Sequence, residues 1–168
     1  MKKDEATIVV DALRAAGFDF AVTLPATQIH TLQDQLSRHP DFTHVAVTNE
    51  AEGCAIAAGA WLGGKMPVLV VETSGILLST YALLRLHATF GVPLLILSTY
   101  RGGLGEQEWY AVHTGAALPG LLQTLRVPCH VITSIDEVKT VVREARSTLD
   151  ASLHPLSLVM SIRMTDLD

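Results

Sequence analysis

Apolar residues follow two different periods along this chain, and segments of the two kinds alternate. At positions 4–16, 29–36 and 135–149 they recur at helical spacing, which predicts amphipathic helices. Short runs rich in apolar and β-branched residues predict strands between such segments. The predicted strands are 18–22, 43–47, 66–71, 92–98, 127–132 and 156–162.

The alternation of strands with helices predicts a fold class. Further helices are predicted at 50–62, 76–89 and 118–125. The run 66–71 is apolar on both faces, as expected of an interior strand in a parallel sheet. We therefore expect an α/β fold, a three-layer α/β/α domain with a six-stranded, mainly parallel sheet. The length of 168 residues suits a single domain over 1–168.

One interval breaks this alternation. Positions 100–117 are polar and rich in Gly, which predicts a long loop. Loops of such length without secondary structure often carry function in compact domains. Arg101 and His113 both fall in this interval.

Charged residues are scarce in this chain. They make up 17% of it, whereas about a quarter is usual in soluble proteins. The scarcity indicates that part of the surface is covered by a partner chain. The net charge of −5, without a basic run, argues against nucleic-acid binding. No apolar run is long enough to span a membrane and the first residues lack the apolar core of a signal peptide, so we expect a cytoplasmic protein.

The sequence offers no pattern of metal ligands. Cys54 and Cys129 are far apart and match neither a disulfide framework nor a zinc site, so both are interpreted as small buried hydrophobic residues. The seven His residues are scattered without ligand spacing, and each is interpreted as a surface or loop residue. We therefore expect no metal site within this chain.

Two carboxylates open the helix with the smallest side chains. Asn49 suits the N-cap position of this helix, and Glu50 and Glu52 lie in its first turn, where acidic residues suit the helix dipole. Nearly every side chain over 53–59 is small, which indicates close burial. The carboxylates thus lie where a strand ends and a buried helix begins, the edge at which open α/β sheets bind ligands. Solvated surface charge is the alternative interpretation for both.

Asn49-Glu50 and the small-residue helix through Gly59 resemble the pyrimidine-binding domain of thiamine diphosphate enzymes. More narrowly, nearly the whole chain is similar to the α subunit of sulfopyruvate decarboxylase and to the matching half of phosphonopyruvate decarboxylase. The similarity includes the segments 24–27, 73–75, 91–95, 100–102 and 105–106.

The resemblance implies a carboxy-lyase that converts sulfopyruvate to sulfoacetaldehyde and carbon dioxide. Phosphonopyruvate or another 2-oxo acid is the alternative substrate, and a non-catalytic α/β scaffold or regulatory module is the alternative of a different class. In this family a Glu at the position of Glu50 hydrogen-bonds N1′ of the cofactor's aminopyrimidine and shares a proton with it. Because a scaffold has no need of an acid at that position, Glu50 favours catalysis.

The resemblance also implies the residues around the cofactor and the substrate. Pro25 and the segment Thr73-Ser74-Gly75 would lie against thiamine diphosphate, with Gly75 letting the backbone approach the ring. Helix capping by Thr73 or Ser74 is the alternative. Arg101 and His113 are candidates for binding the anionic tail of the substrate, with solvated loop charge as the alternative.

The metal site of the family has no counterpart in this sequence. Relatives hold Mg²⁺ through a Gly-Asp-Gly motif and a downstream Asn in a second domain, and this chain contains no Gly-Asp-Gly. The resemblance therefore implies half an active site. A separate β subunit would hold Mg²⁺ and the diphosphate in a hetero-oligomer, and this chain alone would be inactive.

Overall fold

A parallel β-sheet forms the centre of the computed structural model, which describes residues 1–161 and 164. The sheet has six strands in the order β2-β1-β3-β4-β6-β5, and each pairing in it is parallel. The strands are β1 Phe20–Thr23, β2 Thr43–Ala46, β3 Pro67–Val71, β4 Leu95–Thr99, β5 Cys129–Ile132 and β6 Leu156–Met160. Six strands in one parallel sheet confirm the predicted sheet.

Helices cover both faces of the sheet. They are α1 Lys3–Ala15, α2 His30–Arg38, α3 Glu50–Leu62, α4 Thr73–Leu78, α5 Thr80–Ala82, a π-helix Leu83–Ala88, α6 Trp109–Thr124 and α7 Val138–Ser152. Short 3₁₀ helices span Thr27–Ile29 and Ile135–Glu137. None of these helices is both long and apolar enough to cross a membrane, in the part of the chain that the structure describes.

Two hydrophobic clusters divide the core between the two faces. The helices α1, α2 and α7 pack on one face, and α3, α4, the π-helix and α6 pack on the other. Successive side chains of one strand point to opposite faces, so Val68 and Val70 join the first cluster and Leu69 and Val71 the second. This arrangement confirms the three-layer α/β/α fold.

The predicted loop over 100–117 is wrong in its second half. Helix α6 begins at Trp109, so only 100–108 is a loop, and the helix predicted at 118–125 is the end of a longer one. Gly115 suggested a break but serves close packing, because a Cβ there would lie 1.6 Å from the carbonyl oxygen of Arg101. Pro119 also lies inside this helix.

The helix predicted at 76–89 is longer and less regular than expected. It begins at Thr73, three residues before the predicted start, and its second half is the π-helix. Ser79 Oγ donates to the carbonyl oxygen of Gly75 at 2.7 Å, a bond of the kind that often bends helices.

Strand ends differ from the predictions by a few residues, as is usual for element boundaries. The observed β1 is 20–23, β4 is 95–99 and β5 is 129–132. The last strand ends at Met160, and Ile162, which was predicted to belong to it, lies outside the described residues.

Two predictions of burial are wrong. Cys54 is buried as expected, but Cys129 lies exposed on the edge strand β5. His87 is fully buried, although the absence of metal-ligand spacing favoured a surface or loop position for each His residue. It lies in the π-helix, which packs against α3.

Candidate active site

The carboxyl ends of the parallel strands meet at one edge of the sheet, where loops bring the candidate residues together. Glu50 follows β2, Thr73 and Gly75 follow β3, and Arg101 follows β4. The sheet order β2-β1-β3-β4 places the loops after these four strands side by side along that edge.

Asn49 sets the start of α3. Its Oδ1 accepts from the backbone N–H of Ala51 at 2.8 Å and of Glu52 at 3.4 Å, which confirms the predicted N-cap. The exposed Glu52 turns back, and its Oε2 accepts from the N–H and hydroxyl of Thr48. Glu52 therefore stabilises the start of the helix.

Glu50 is turned into the protein instead. It is 8% exposed, although it lies only two residues before the exposed Glu52. Within the described residues, no hydrogen bond or ion pair engages its carboxylate. Its oxygens are not among the described side-chain atoms that are both fully buried and unpaired, so they are open to a hydrogen-bond donor from outside the chain.

Gly75 forms the surface that faces Glu50. A Cβ at position 75 would lie 2.5 Å from both Cγ and Oε1 of Glu50. Only a residue without a side chain leaves the carboxylate in this place. The loops after β2 and β3 thus converge on one carboxylate.

The small side chains of α3 bring it close to the sheet on one side only. A Cβ on Gly53 would lie 3.0 Å from Leu69 Cδ1 and 3.2 Å from Val22 Cγ1. On the other side Gly59 and Leu62 are exposed, and nothing lies within 4 Å of a Cβ built on Gly59. The prediction of close burial holds for the inner face of the helix.

Thr73 connects the start of α4 to the end of β4. It is fully buried, and its hydroxyl donates to the carbonyl oxygen of Thr99. The N-cap residue of α4 is Glu72, which makes no side-chain cap hydrogen bond. Capping by Thr73 or Ser74 is therefore not observed, and Ser74 points to solvent.

Gln33 was not foreseen from the sequence. Its side-chain amide donates to the carbonyl oxygens of Leu24 at 2.7 Å and Val70 at 3.1 Å, and its Oε1 accepts from the N–H of Ala26 at 3.0 Å. These bonds hold the loop around the exposed Pro25 against β3. In the sequence, the one sign of this role is that the polar Gln33 lies next to the apolar residues of α2.

Arg101 is not a solvated loop charge. Its side chain is 5% exposed and forms an ion pair with Glu106, whose side chain is 2% exposed. Arg101 Nε donates to Oε2 at 2.8 Å and Nη2 to Oε1 at 2.9 Å. This fork holds the pKa of Glu106 down at about 2 and raises that of Arg101. His113 lies exposed on α6.

Residues 4–124 match the family model described as "Thiamine pyrophosphate enzyme, N-terminal TPP binding domain". This chain belongs to that family. The family membership and the parallel α/β fold agree with the resemblance found in the sequence.

Relatives of known function cover most of this thiamine pyrophosphate-family chain. "Sulfopyruvate decarboxylase subunit alpha" of Methanothermobacter thermautotrophicus is 31% identical over 144 residues, 86% of this chain and 87% of the relative. "Phosphonopyruvate decarboxylase" of Streptomyces viridochromogenes is 28% identical over 146 residues, 84% of this chain and 36% of the relative.

A solved structure shares the fold. It is an X-ray structure described as a thiamin diphosphate-dependent enzyme from Mycobacterium smegmatis, with a TM-score of 0.72 and 20% identity. The match covers 96% of this chain and 31% of that chain.

The side chains at the sheet edge suit the pyrimidine half of the family's cofactor. The Glu50 carboxylate has no protein partner among the described residues, and Gly75 leaves its oxygen uncovered by a side chain. Across residues 1–161 and 164, no group of three His, Cys, Asp or Glu side chains could hold a metal ion. The described residues thus offer a hydrogen-bond acceptor for a ring nitrogen but no set of metal ligands.

Proposed function

We propose that this chain is the α subunit of a thiamine diphosphate-dependent decarboxylase that converts sulfopyruvate to sulfoacetaldehyde and carbon dioxide. The observation that carries the proposal is the buried, unpartnered Glu50 carboxylate against Gly75. It lies in a chain of the thiamine pyrophosphate family that is 31% identical to a sulfopyruvate decarboxylase α subunit. The proposal covers the chain as one cytoplasmic domain over 1–168.

Glu50 would hold a proton at N1′ of the aminopyrimidine. Its place in the first turn of α3 directs the side chain into the protein, where it is 8% exposed and faces Gly75. Gly75 would let the ring approach that oxygen, and the buried Thr73 would fix the turn that carries Gly75. Ser74 and Pro25 would line the rim of the site. When bound, thiamine diphosphate supplies the electron sink for decarboxylation of a 2-oxo acid.

A separate β subunit would complete the site by holding Mg²⁺ and the diphosphate. Two features support it: the sequence contains no Gly-Asp-Gly, and relatives of similar length are called subunit alpha. Exposed apolar side chains offer surface for such a partner. They include Leu78, Tyr81, Leu104, Trp109 and Tyr110, which are between 55% and 96% exposed.

The anionic tail of the substrate would be bound mainly by the partner. Arg101 is already engaged, because two of its guanidinium nitrogens donate to Glu106. His113 remains a candidate from this chain, since it is exposed on α6 near the end of the loop 100–108.

Phosphonopyruvate is the second candidate substrate. The observation that favours it is the 28% identity with a phosphonopyruvate decarboxylase over 84% of this chain. Sulfonate and phosphonate tails need the same kind of fixed cation, so the residues of this chain do not separate the two substrates.

The test is decarboxylation of sulfopyruvate by this chain co-expressed with its partner, in the presence of thiamine diphosphate and Mg²⁺. Glu50→Gln keeps the shape of the side chain but cannot share the proton, so activity should fall by about two orders of magnitude or more. Glu52→Gln is the matched control, because Glu52 is exposed and accepts hydrogen bonds from Thr48, and it should keep activity within about threefold.

Other outcomes would redirect the proposal. Activity without dependence on Glu50 would mean that the acid lies elsewhere. Cofactor binding with turnover of phosphonopyruvate alone would change the substrate and keep the reaction. A complex that binds no thiamine diphosphate would favour a scaffold or regulatory module.

A further inference from the structure

Glu106 organises the loop between β4 and α6. Besides the two bonds from Arg101, its carboxylate accepts from the backbone N–H of Gly102 at 2.9 Å and of Glu108 at 3.0 Å. Four donors therefore converge on its two oxygens. A carboxylate can accept all four, whereas an amide of the same shape has one oxygen and places an NH₂ against two of the donors.

A chain of hydrogen bonds connects this loop to the first turn of α4. The backbone N–H of Arg101 donates to Oγ1 of Thr73 at 3.2 Å, and the same hydroxyl donates to the carbonyl oxygen of Thr99. Thr73, Thr99 and Arg101 are all buried. Two residues after Thr73, Gly75 faces the Glu50 carboxylate.

The loop 100–108 also packs against α6. A Cβ built on Gly102 would lie within 3.0 Å of backbone carbon and oxygen atoms of α6. The guanidinium group of Arg101 lies 5.9 Å from the ring centre of Tyr110, which also belongs to α6. The loop is thus fixed on one side by α6 and on the other by Thr73. Within the loop, the buried Arg101–Glu106 ion pair connects its first residues to its last ones.

We propose that Glu106 is a positioning residue for the Glu50 site. Through the backbone of Arg101 and the hydroxyl of Thr73 it fixes the start of α4, and with it the Gly75 surface that faces Glu50. Among the described residues the Glu106 carboxylate bonds to Arg101, Gly102 and Glu108 and not to Glu50 or Gly75, so it acts on the site through other residues. The use of that site for cofactor binding rests on the proposed function, whereas the connection from Glu106 to α4 does not.

The connection is tested by hydrogen exchange in the full chain without cofactor. The backbone N–H groups of Gly75 and Ser79 donate to the carbonyl oxygens of Glu72 and Gly75, each at 3.0 Å, and report on α4. Glu106→Gln should speed exchange at both amides by about tenfold, because the first turn loses its anchor. The same substitution at Glu108, whose side chain is exposed, removes the same charge and should leave both rates unchanged.

Two further variants separate positioning from a general loss of structure. Glu106→Asp keeps the charge and should recover part of the protection of Gly75 and Ser79. Thr73→Val removes the connecting hydroxyl, so combining it with Glu106→Gln should add little beyond either change alone. Faster exchange confined to 101–108, or additive effects of the two changes, would overturn the proposal.

The consequence for the site is tested in the complex with the partner subunit. Glu106→Gln should weaken binding of thiamine diphosphate and lower kcat by about tenfold each, while KM for sulfopyruvate changes by less than about twofold. A raised KM with unchanged kcat would instead make Glu106 a substrate-binding residue. If the wild-type complex binds no thiamine diphosphate, the proposed function fails, and the exchange rates alone decide whether Glu106 positions α4.

Discussion

His87 Nε2 lies 3.0 Å from the carbonyl oxygen of Cys54, one turn along α3 from Glu50. The other ring nitrogen, Nδ1, lies 3.0 Å from the carbonyl oxygen of Val92. Fully buried, the imidazole thus joins α3 to the segment before β4. A neutral ring can donate to only one of the two carbonyls, and burial lowers the pKa of His87.

We expect His87 to make the protein less stable in mild acid. A lowered pKa means that the folded state binds fewer protons than the unfolded state. The contribution to stability is therefore complete above the ordinary His pKa of about 6.5 and decreases as the pH falls below it. Urea unfolding at about pH 8 and about pH 5 should show a lower midpoint at the lower pH.

The variant His87→Phe separates the contribution of His87 to the acid dependence of stability from the contributions of other titratable groups. It keeps a ring but removes the donor, so the free energy of unfolding near pH 8 should fall by about 1–3 kcal/mol. The decrease in the free energy of unfolding between pH 8 and pH 5 should be smaller in His87→Phe than in the wild type. Burial also lowers the pKa of His44, so His44→Gln is the control that measures its share. An acid dependence unchanged in His87→Phe would contradict the assignment to His87.

The sequence predicts the sheet and the start of α3 at Glu50 well for the same physical reason. Interior parallel strands such as 67–71 are apolar at every position, and a strand followed by Asn49 and a small-residue helix marks the edge of the sheet. In both cases the signal lies within a few consecutive residues.

Other features depend on contacts that no local pattern reveals. Gly115 belongs to the Gly-rich interval that predicts a loop, but in the structure it lets the backbone of Arg101 contact α6. Gln33 bonds to Val70, which lies 37 residues away. Arg101 and Glu106 are close in the chain, yet charged pairs are rarely buried, so solvation was the natural expectation.

Gly75→Ala should damage the site and spare the fold. The added Cβ would meet the end of the Glu50 side chain, which can move, and no backbone atom of another element is its nearest neighbour. We expect the free energy of unfolding to change by less than about 1 kcal/mol. Because Glu50 is displaced, affinity for thiamine diphosphate should fall by about tenfold or more.

Calorimetric titration of the complex measures the affinity, and thermal unfolding measures the stability. Gly59→Ala is the matched control, since nothing lies within 4 Å of its added Cβ and the residue is far from Glu50 along α3. It should leave the affinity unchanged. Equal affinity of Gly75→Ala and the wild type would mean that the cofactor does not approach Glu50 past Gly75.

Gly115→Ala should destabilise the whole protein. Here the added Cβ would lie 1.6 Å from a backbone oxygen of Arg101, so either α6 or the loop must move. We expect a loss of about 3 kcal/mol or more, at the upper end for overpacked sites. Gly120→Ala on the same helix meets nothing within 4 Å and should stabilise by up to about 1 kcal/mol. Comparable unfolding midpoints for the two variants would contradict the close approach of α6 to the loop.

The Arg101–Glu106 pair should govern stability in strong acid. The pKa of Glu106 is held at about 2 against an ordinary value of 4.5, so the folded state binds fewer protons between these values. The stabilisation is complete above about pH 4.5 and is lost as the pH falls towards 2.

Glu106→Gln should lower the free energy of unfolding near pH 7 by about 3–5 kcal/mol, because it leaves the buried Arg101 without its counter-ion. Urea unfolding from about pH 7 to about pH 3 should show the gap between wild type and variant narrowing below about pH 4.5, because Glu106 then binds a proton in the unfolded wild type while it stays ionised in the folded state. Glu108→Gln changes a residue of the same loop, and its free energy of unfolding should depend on pH as that of the wild type does. A gap that stays constant to pH 3 would mean that the ion pair does not set the stability of the loop, and that its packing against α6 does.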